Sequence, residues 1–156
     1  MMAKLDSGFS NILVCIDNSK HSHKALSKAI TIAEKFDSKL SLLMVIEESQ
    51  VNFWDDTEFK VGVERPQVHL KKESRIFQQA EKILNDLAKR VPSKIKCSTE
   101  ILTGDPARVI VNYSKKKKPN VIIIGSRGLG GFSKLLLGSV SRKVVDHATS
   151  SVFVIR

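Results

Sequence analysis

Little in this chain of 156 residues points to a fold held by anything other than its core. Two cysteines are too few for a disulfide framework. Aromatic residues make up 6%, with one Trp and one Tyr. No apolar run approaches ~18 residues, which excludes a membrane-spanning helix as an expectation. The opening MMAKLDSGFS has no apolar stretch, so a secretory leader is not expected. Glycine followed by Lys and Ser/Thr occurs nowhere, so the phosphate loop of P-loop NTPases is missing. A dinucleotide fingerprint read from Gly128 fails at Ser133, and the turn after the first apolar run, Asp17-Asn18-Ser19-Lys20, has no glycine. No Ser/His/Asp set and no His/Cys/acid spacing for a metal is visible, so neither a catalytic residue nor a metal ligand is expected.

What is present suits one globular domain spanning 1–156. Hydrophobic residues make up 42% and charged residues 27%, and a chain of this length buries a sizeable core. The net charge of +10 is uneven: residues 1–63 carry −2 and residues 64–156 carry +12. That asymmetry is one signature of a polyanion-binding surface. Lys115–Lys118 has two readings, a solvated helix C-terminus whose cations complement the dipole, or a patch for nucleic acid or anionic membrane. Nucleic acid is the less favoured, because Tyr113 is the only aromatic nearby and nothing interleaves for base stacking.

Five short apolar runs read as strands: Asn11–Ile16, Leu40–Ile46, Ile95–Leu102, Val121–Ile124 and Val152–Ile155. Between them lie helical stripes. Ala25, Ala29, Ile30, Ala33 and Phe36 form the first, with Ser22 as expected N-cap. The second runs from Ile76 through Val91, with Pro92 as its stop. Asp105-Pro106 opens the third, and Val140, Val144, Val145 and Ala148 mark the fourth. Strictly alternating strands and helices predict an α/β fold, a five-stranded parallel sheet with right-handed crossovers and helices on both faces. Residues 48–62, with Phe53-Trp54-Asp55-Asp56, form a long insertion, either a surface loop or a lid.

The chemically informative stretch is Gly125 to Ser139, after the most apolar strand and before a helix. Glycines permit sharp turns and close backbone approach, successive amides form an anion nest, and a helix N-terminus adds free N–H groups. These parts suit a phosphate. The spacing Gly125, Gly128, Gly138, Ser139 is Gly-x2-Gly-x9-Gly-Ser. This pattern resembles the nucleotide-binding branch of the universal stress protein family. So do the opening Ile12-Leu13-Val14-Cys15-Ile16-Asp17-Asn18-Ser19, the small residues Ala25 and Ala29, the Leu42–Ile46 strand and the Gly104-Asp105-Pro106-Ala107 turn.

The resemblance implies strand order 3-2-1-4-5, as in adenine nucleotide alpha hydrolase-like folds. It places the ends of strands 1 and 4 at the topological switch point where open α/β sheets bind ligands. It further implies an ATP, ADP or AMP site, with Mg²⁺ accompanying the phosphates. Asp17 is expected at the ribose and Val45 over the adenine. Gly125, Gly128, Gly138 and Ser139 are expected around the phosphates, with Arg127 and Val140 adjacent. The alternative for Asp17 is a cap of the turn that follows it. His21 and His23 lie near the crevice mouth. A cytoplasmic homodimer joined through Val152–Ile155, acting in a stress response or in signalling with a protein partner, is the expected role. A slow ATPase and a nucleic-acid-binding protein are the alternatives. The segment before the last strand, Ser150-Ser151, departs from the proline common in that family. With strand 2 between them, Cys15 and Cys97 stand about 9.5 Å apart, beyond disulfide reach, and are expected as buried free thiols.

Overall fold

The computed structural model describes residues 8–47, 74–129 and 137–156. Nine elements follow in strict alternation: β1 (Asn11–Ile16), α1 (Lys20–Phe36), β2 (Lys39–Ile46), α2 (Arg75–Ala88), β3 (Cys97–Thr103), α3 (Pro106–Lys117), β4 (Val121–Gly125), α4 (Ser139–His147) and β5 (Ser151–Ile155). All strand pairs are parallel and the order is β3-β2-β1-β4-β5, as expected. The insertion at 48–62 lies outside the described residues.

Because side chains alternate across a strand, each central strand feeds two cores. Ile12, Val14 and Ile16 of β1, Leu40 and Leu42 of β2 and Val121 and Ile123 of β4 turn toward α1 and α2. Leu13, Cys15, Leu43, Ile122 and Ile124 turn toward α3 and α4. On α1 the buried stripe is built from Ala25, Ala29 and Ala33, none more than 1% exposed. Short side chains let that helix lie close over β1 and β4, at the centre of the sheet. The outer strands β3 and β5 are less buried than the inner three, and each has one neighbouring strand among the described residues.

Three boundaries differ from the sequence expectation by more than one residue. The N-cap of α1 is Ser19, not Ser22: Ser19 Oγ accepts the Ser22 amide at 3.1 Å, and Ser22 is buried inside the helix with its hydroxyl on Ser19 O. Asn18 takes a left-handed conformation (φ 64), which turns the chain into the helix earlier than the apolar stripe suggests. The second helix ends at Ala88, four residues before Pro92. Its stripe continues through a tight turn in which Arg90 N donates to Leu87 O and Val91 N to Ala88 O. The third strand begins at Cys97 rather than Ile95, and Cys97 is half-buried rather than buried.

The tetralysine run sits where a helix end needs cations. Lys115–Lys117 form the last turn of α3 and Lys118, in a left-handed conformation, donates its amide to Ser114 O at 2.8 Å. All four are exposed. No helix among the described residues is long and apolar enough to cross a membrane.

Candidate functional site

The crossovers after β1 and after β4 leave in opposite directions, so the carboxyl ends of these adjacent strands open a crevice. Asp17 follows β1 directly. Its Oδ1 accepts the Ser19 amide at 2.9 Å, so the turn-capping role is real. Its other oxygen, Oδ2, lies so near Gly128 that a Cβ there would come within 2.6 Å of it. Gly128 is therefore glycine because the carboxylate occupies the space of a side chain. The two residues, 111 positions apart, form one wall of the crevice.

Gly125 is required for a different reason. A Cβ on it would sit 2.8 Å from both the carbonyl carbon and the Cβ of His21. Its bare Cα admits the first turn of α1, so its part is to let helix and strand close together. Just beyond it, Ser126 N donates to Ile155 O at 2.7 Å, extending the β4–β5 pairing past the strand end.

The start of α4 is pinned to this same point. Gly138 N donates to Ser126 O at 2.7 Å, and Ser141 Oγ reaches Ser126 O at 3.1 Å and Gly138 O at 3.0 Å. The Gly138 amide is thus spent within the protein, and it positions the helix rather than facing a phosphate. A side chain at Gly138 would crowd Ser126 O at 3.2 Å. Gly138 is the N-cap and supplies no side-chain cap bond, and the first helical bond runs from Arg142 N to Gly138 O. The amides of Ser139, Val140 and Ser141 consequently have no carbonyl one turn earlier to bond. No acidic residue stands in the first turn to fill that role. Ser139 is exposed and its hydroxyl is available beside these amides.

Three serines that the glycine pattern did not single out complete the arrangement. Ser19 Oγ donates to Arg127 O at 3.3 Å, tying the loop after β4 to the cap of α1. Ser141 fixes α4 as described. Ser126 is 3% exposed, and its Oγ is buried with no hydrogen-bond partner among the described residues. A buried hydroxyl left without a partner is costly, and a water or a ligand can complete its bonding. The signal for Ser126 was its place between Gly125 and Arg127. Ser19 carried the cap signature of a serine directly before a helix, whereas Ser141, inside the first turn of α4, carried none.

Val45 and Val140, half-buried, pack against the α3–α4 core, and so lie on the same side of the sheet. Arg127 is half-buried and follows Ser126 into the crevice loop. His23 Nε2 is 3.0 Å from Asn18 Oδ1, while His21 is held against Gly125. Gly130 and Gly131 lie outside the described residues. Burial first, and the Asp17 charge second, push the Cys15 thiol up to about 12, so it stays protonated and inert under the crevice. Among the described residues no three His, Cys, Asp or Glu side chains gather as a metal site.

The profile of the Universal stress protein family matches residues 8–156. The chain belongs to the universal stress protein family. The universal stress protein YxiE of Bacillus subtilis is 34% identical over 151 residues, covering 95% of this chain and 99% of YxiE. A universal stress protein solved in complex with cAMP superimposes with a TM-score of 0.71 at 18% identity, over 96% of this chain and 99% of that one. The Archaeoglobus fulgidus universal stress protein solved with dAMP gives 0.65 at 17% identity, over 95% and 98%. At those identities the two solved structures speak for the fold. Universal stress proteins thus share the parallel sheet whose β1–β4 crevice is built here from Asp17, Ser126, Gly128 and the start of α4.

Proposed function

We propose that this universal stress protein binds an adenine nucleotide in the β1–β4 crevice and acts as a dimeric stress-response or signalling module. The observation that carries the reading is the junction of β4 and α4. Uncapped helix amides, a partnerless buried Ser126 hydroxyl and the exposed Ser139 hydroxyl meet there, with no carboxylate in the helix's first turn. Helix N-termini of this kind take anions through free N–H groups and the dipole. Support also comes from the family members solved with cAMP and with dAMP.

In this reading the phosphates take the amides of Ser139, Val140 and Ser141 and the hydroxyls of Ser126 and Ser139, and Arg127 adds charge. The ribose lies at Asp17 Oδ2 and the adenine against Val45. ATP is the proposed ligand, with ADP and AMP as competitors. Mg²⁺ would be carried by the phosphates rather than by a protein cage. The second copy would pair along β5, whose Phe153 is 37% exposed. The whole chain is one domain working in the cytoplasm. A ligand changes partner affinity only through unequal affinity for two states.

Calorimetric titration with ATP, ADP, AMP and cAMP tests this. Wild type is expected to bind at least one of them, and Gly128→Val to lose the heat, because its side chain enters the space of Asp17 Oδ2 and of the ligand. No heat with any of the four, or undiminished binding by the variant, overturns the site. Asp17→Ala is expected to weaken nucleotides more than inorganic phosphate, and equal weakening rejects its ribose role.

A further inference from the structure

A second concave surface lies between α3 and α4, a groove of about 300 Å³. Its floor is Ala107 and Val111, buried at 4% and 7% exposure. One rim carries Arg108 and Lys115 of α3 and the other Lys143 and His147 of α4, all exposed. None of the three lysine and arginine side chains has a carboxylate partner among the described residues. Among the described residues the one acid in the lining, Asp105, is engaged by its own helix, its Oδ1 accepting Arg108 N at 2.9 Å. Arg108 and Lys115 are two turns apart, about 10.5 Å along the axis, and Lys143 and His147 about 6 Å.

We propose that this groove docks an acidic peptide segment of a protein partner, with carboxylates paired to Arg108, Lys115 and Lys143 and an apolar side chain on Ala107 and Val111. Two cationic rows about an apolar floor match a chain that carries carboxylates and apolar groups in alternation. A length of about 10.5 Å admits three extended residues. Nucleic acid fits less well. A phosphate backbone has nothing to lay on Val111, and among the described residues no Phe, Tyr or Trp lines the groove as a platform for bases. The charge balance agrees, since residues 64–156, which hold the whole groove, carry +12. The groove shares α4 with the proposed nucleotide site but none of that site's residues.

The test is fluorescence anisotropy with a labelled peptide of about a dozen residues, rich in Asp and Glu with leucines interspersed. A single-stranded oligonucleotide of equal charge runs alongside. The full chain is expected to bind the peptide more tightly than the oligonucleotide. Arg108→Glu with Lys143→Glu is expected to weaken the peptide about tenfold or more. Lys82→Glu with Lys96→Glu makes the same change in net charge on exposed residues of α2 and the approach to β3. It is expected to leave the affinity within about twofold. Circular dichroism of each variant confirms folding. Tighter oligonucleotide binding, no peptide binding, or equal loss in both charge-reversed proteins overturns the proposal. Gly128→Val must bind the peptide like wild type, so failure of the nucleotide site and failure of the groove are read separately.

Discussion

The two faces of the sheet are not equivalent. The face under α1 and α2 holds a long buried cluster running from Ile12 to Ile123 and is ringed by further apolar residues such as Ile30, Phe77 and Ile101. The face under α3 and α4 holds a smaller one, Leu13, Cys15, Leu43, Ile110, Val111, Ile122, Ile124 and Val144. The start of α4, the Val45 and Val140 side chains and the α3–α4 groove all belong to the smaller side. So does a polar cavity of about 370 Å³ that includes Ser41, Ser98, Glu100 and Tyr113. One face is given over to burial and the other divides its area between burial and polar surfaces.

Leu42 and Leu43 put that contrast to the hardest test. They are chain neighbours on β2, each 1% exposed, and they point to opposite faces. Truncating either to alanine is expected to cost about 2–5 kcal/mol, read as a shift in the urea midpoint. Only Leu43→Ala should also weaken nucleotide binding by the folded protein, because Leu43 shares a cluster with Val45 and Val140. Equal effects on binding from the two variants would erase the functional distinction between the faces.

A gentler pair compares helix caps. Ser19 and Ser74 each cap a helix with the side chain, on α1 and α2. Replacement by alanine is expected to cost about 1 kcal/mol in both. Ser19 has a second bond, to Arg127 O, that leads into the crevice. Ser19→Ala should therefore lower nucleotide affinity where Ser74→Ala does not, a difference that calorimetry on the two proteins reads directly.

Much of this was legible in the residues, and what was not has a common cause. The strands β1, β2 and β4 are visible as near-continuous apolar runs, broken in β2 only by Ser41, because both of their faces are largely buried. The glycine spacing is legible as a pattern too, but what it records is packing: Gly125 and Gly128 each stand where a Cβ would collide with a distant part of the chain. The direction of individual polar groups was hidden. That the Gly138 amide turns to Ser126 O, and that Ser126 Oγ is left without a partner, depends on where α4 lands against β4. The cap of α1 was displaced from Ser22 to Ser19 by the Asp17 turn and the left-handed Asn18, which are backbone events that a hydrophobic stripe does not record.

Alkaline pH should sharpen the comparison with the smallest effect of the three. Tyr113 Oη donates to Glu100 Oε2 at 2.8 Å at the edge of the polar cavity. Burial first, then that hydrogen bond and the Glu100 charge, push the tyrosine up to about 12 from 10.0. A phenol whose folded pKa is raised keeps its proton longer in the native state. Its stabilisation is fully present below the unfolded value of 10.0 and is lost as pH climbs toward about 12. Cys15, on the same face, behaves alike from 9.0 toward about 12. The urea midpoint of wild type is thus expected to fall as pH rises above about 9 and to fall further beyond about 10. Tyr113→Phe removes only the second part, so its curve should run shallower than wild type between about 10 and 12 while the Cys15 part persists. Parallel curves for the two proteins across that range would show that the Tyr113–Glu100 contact contributes nothing to the pH response of the α3–α4 face.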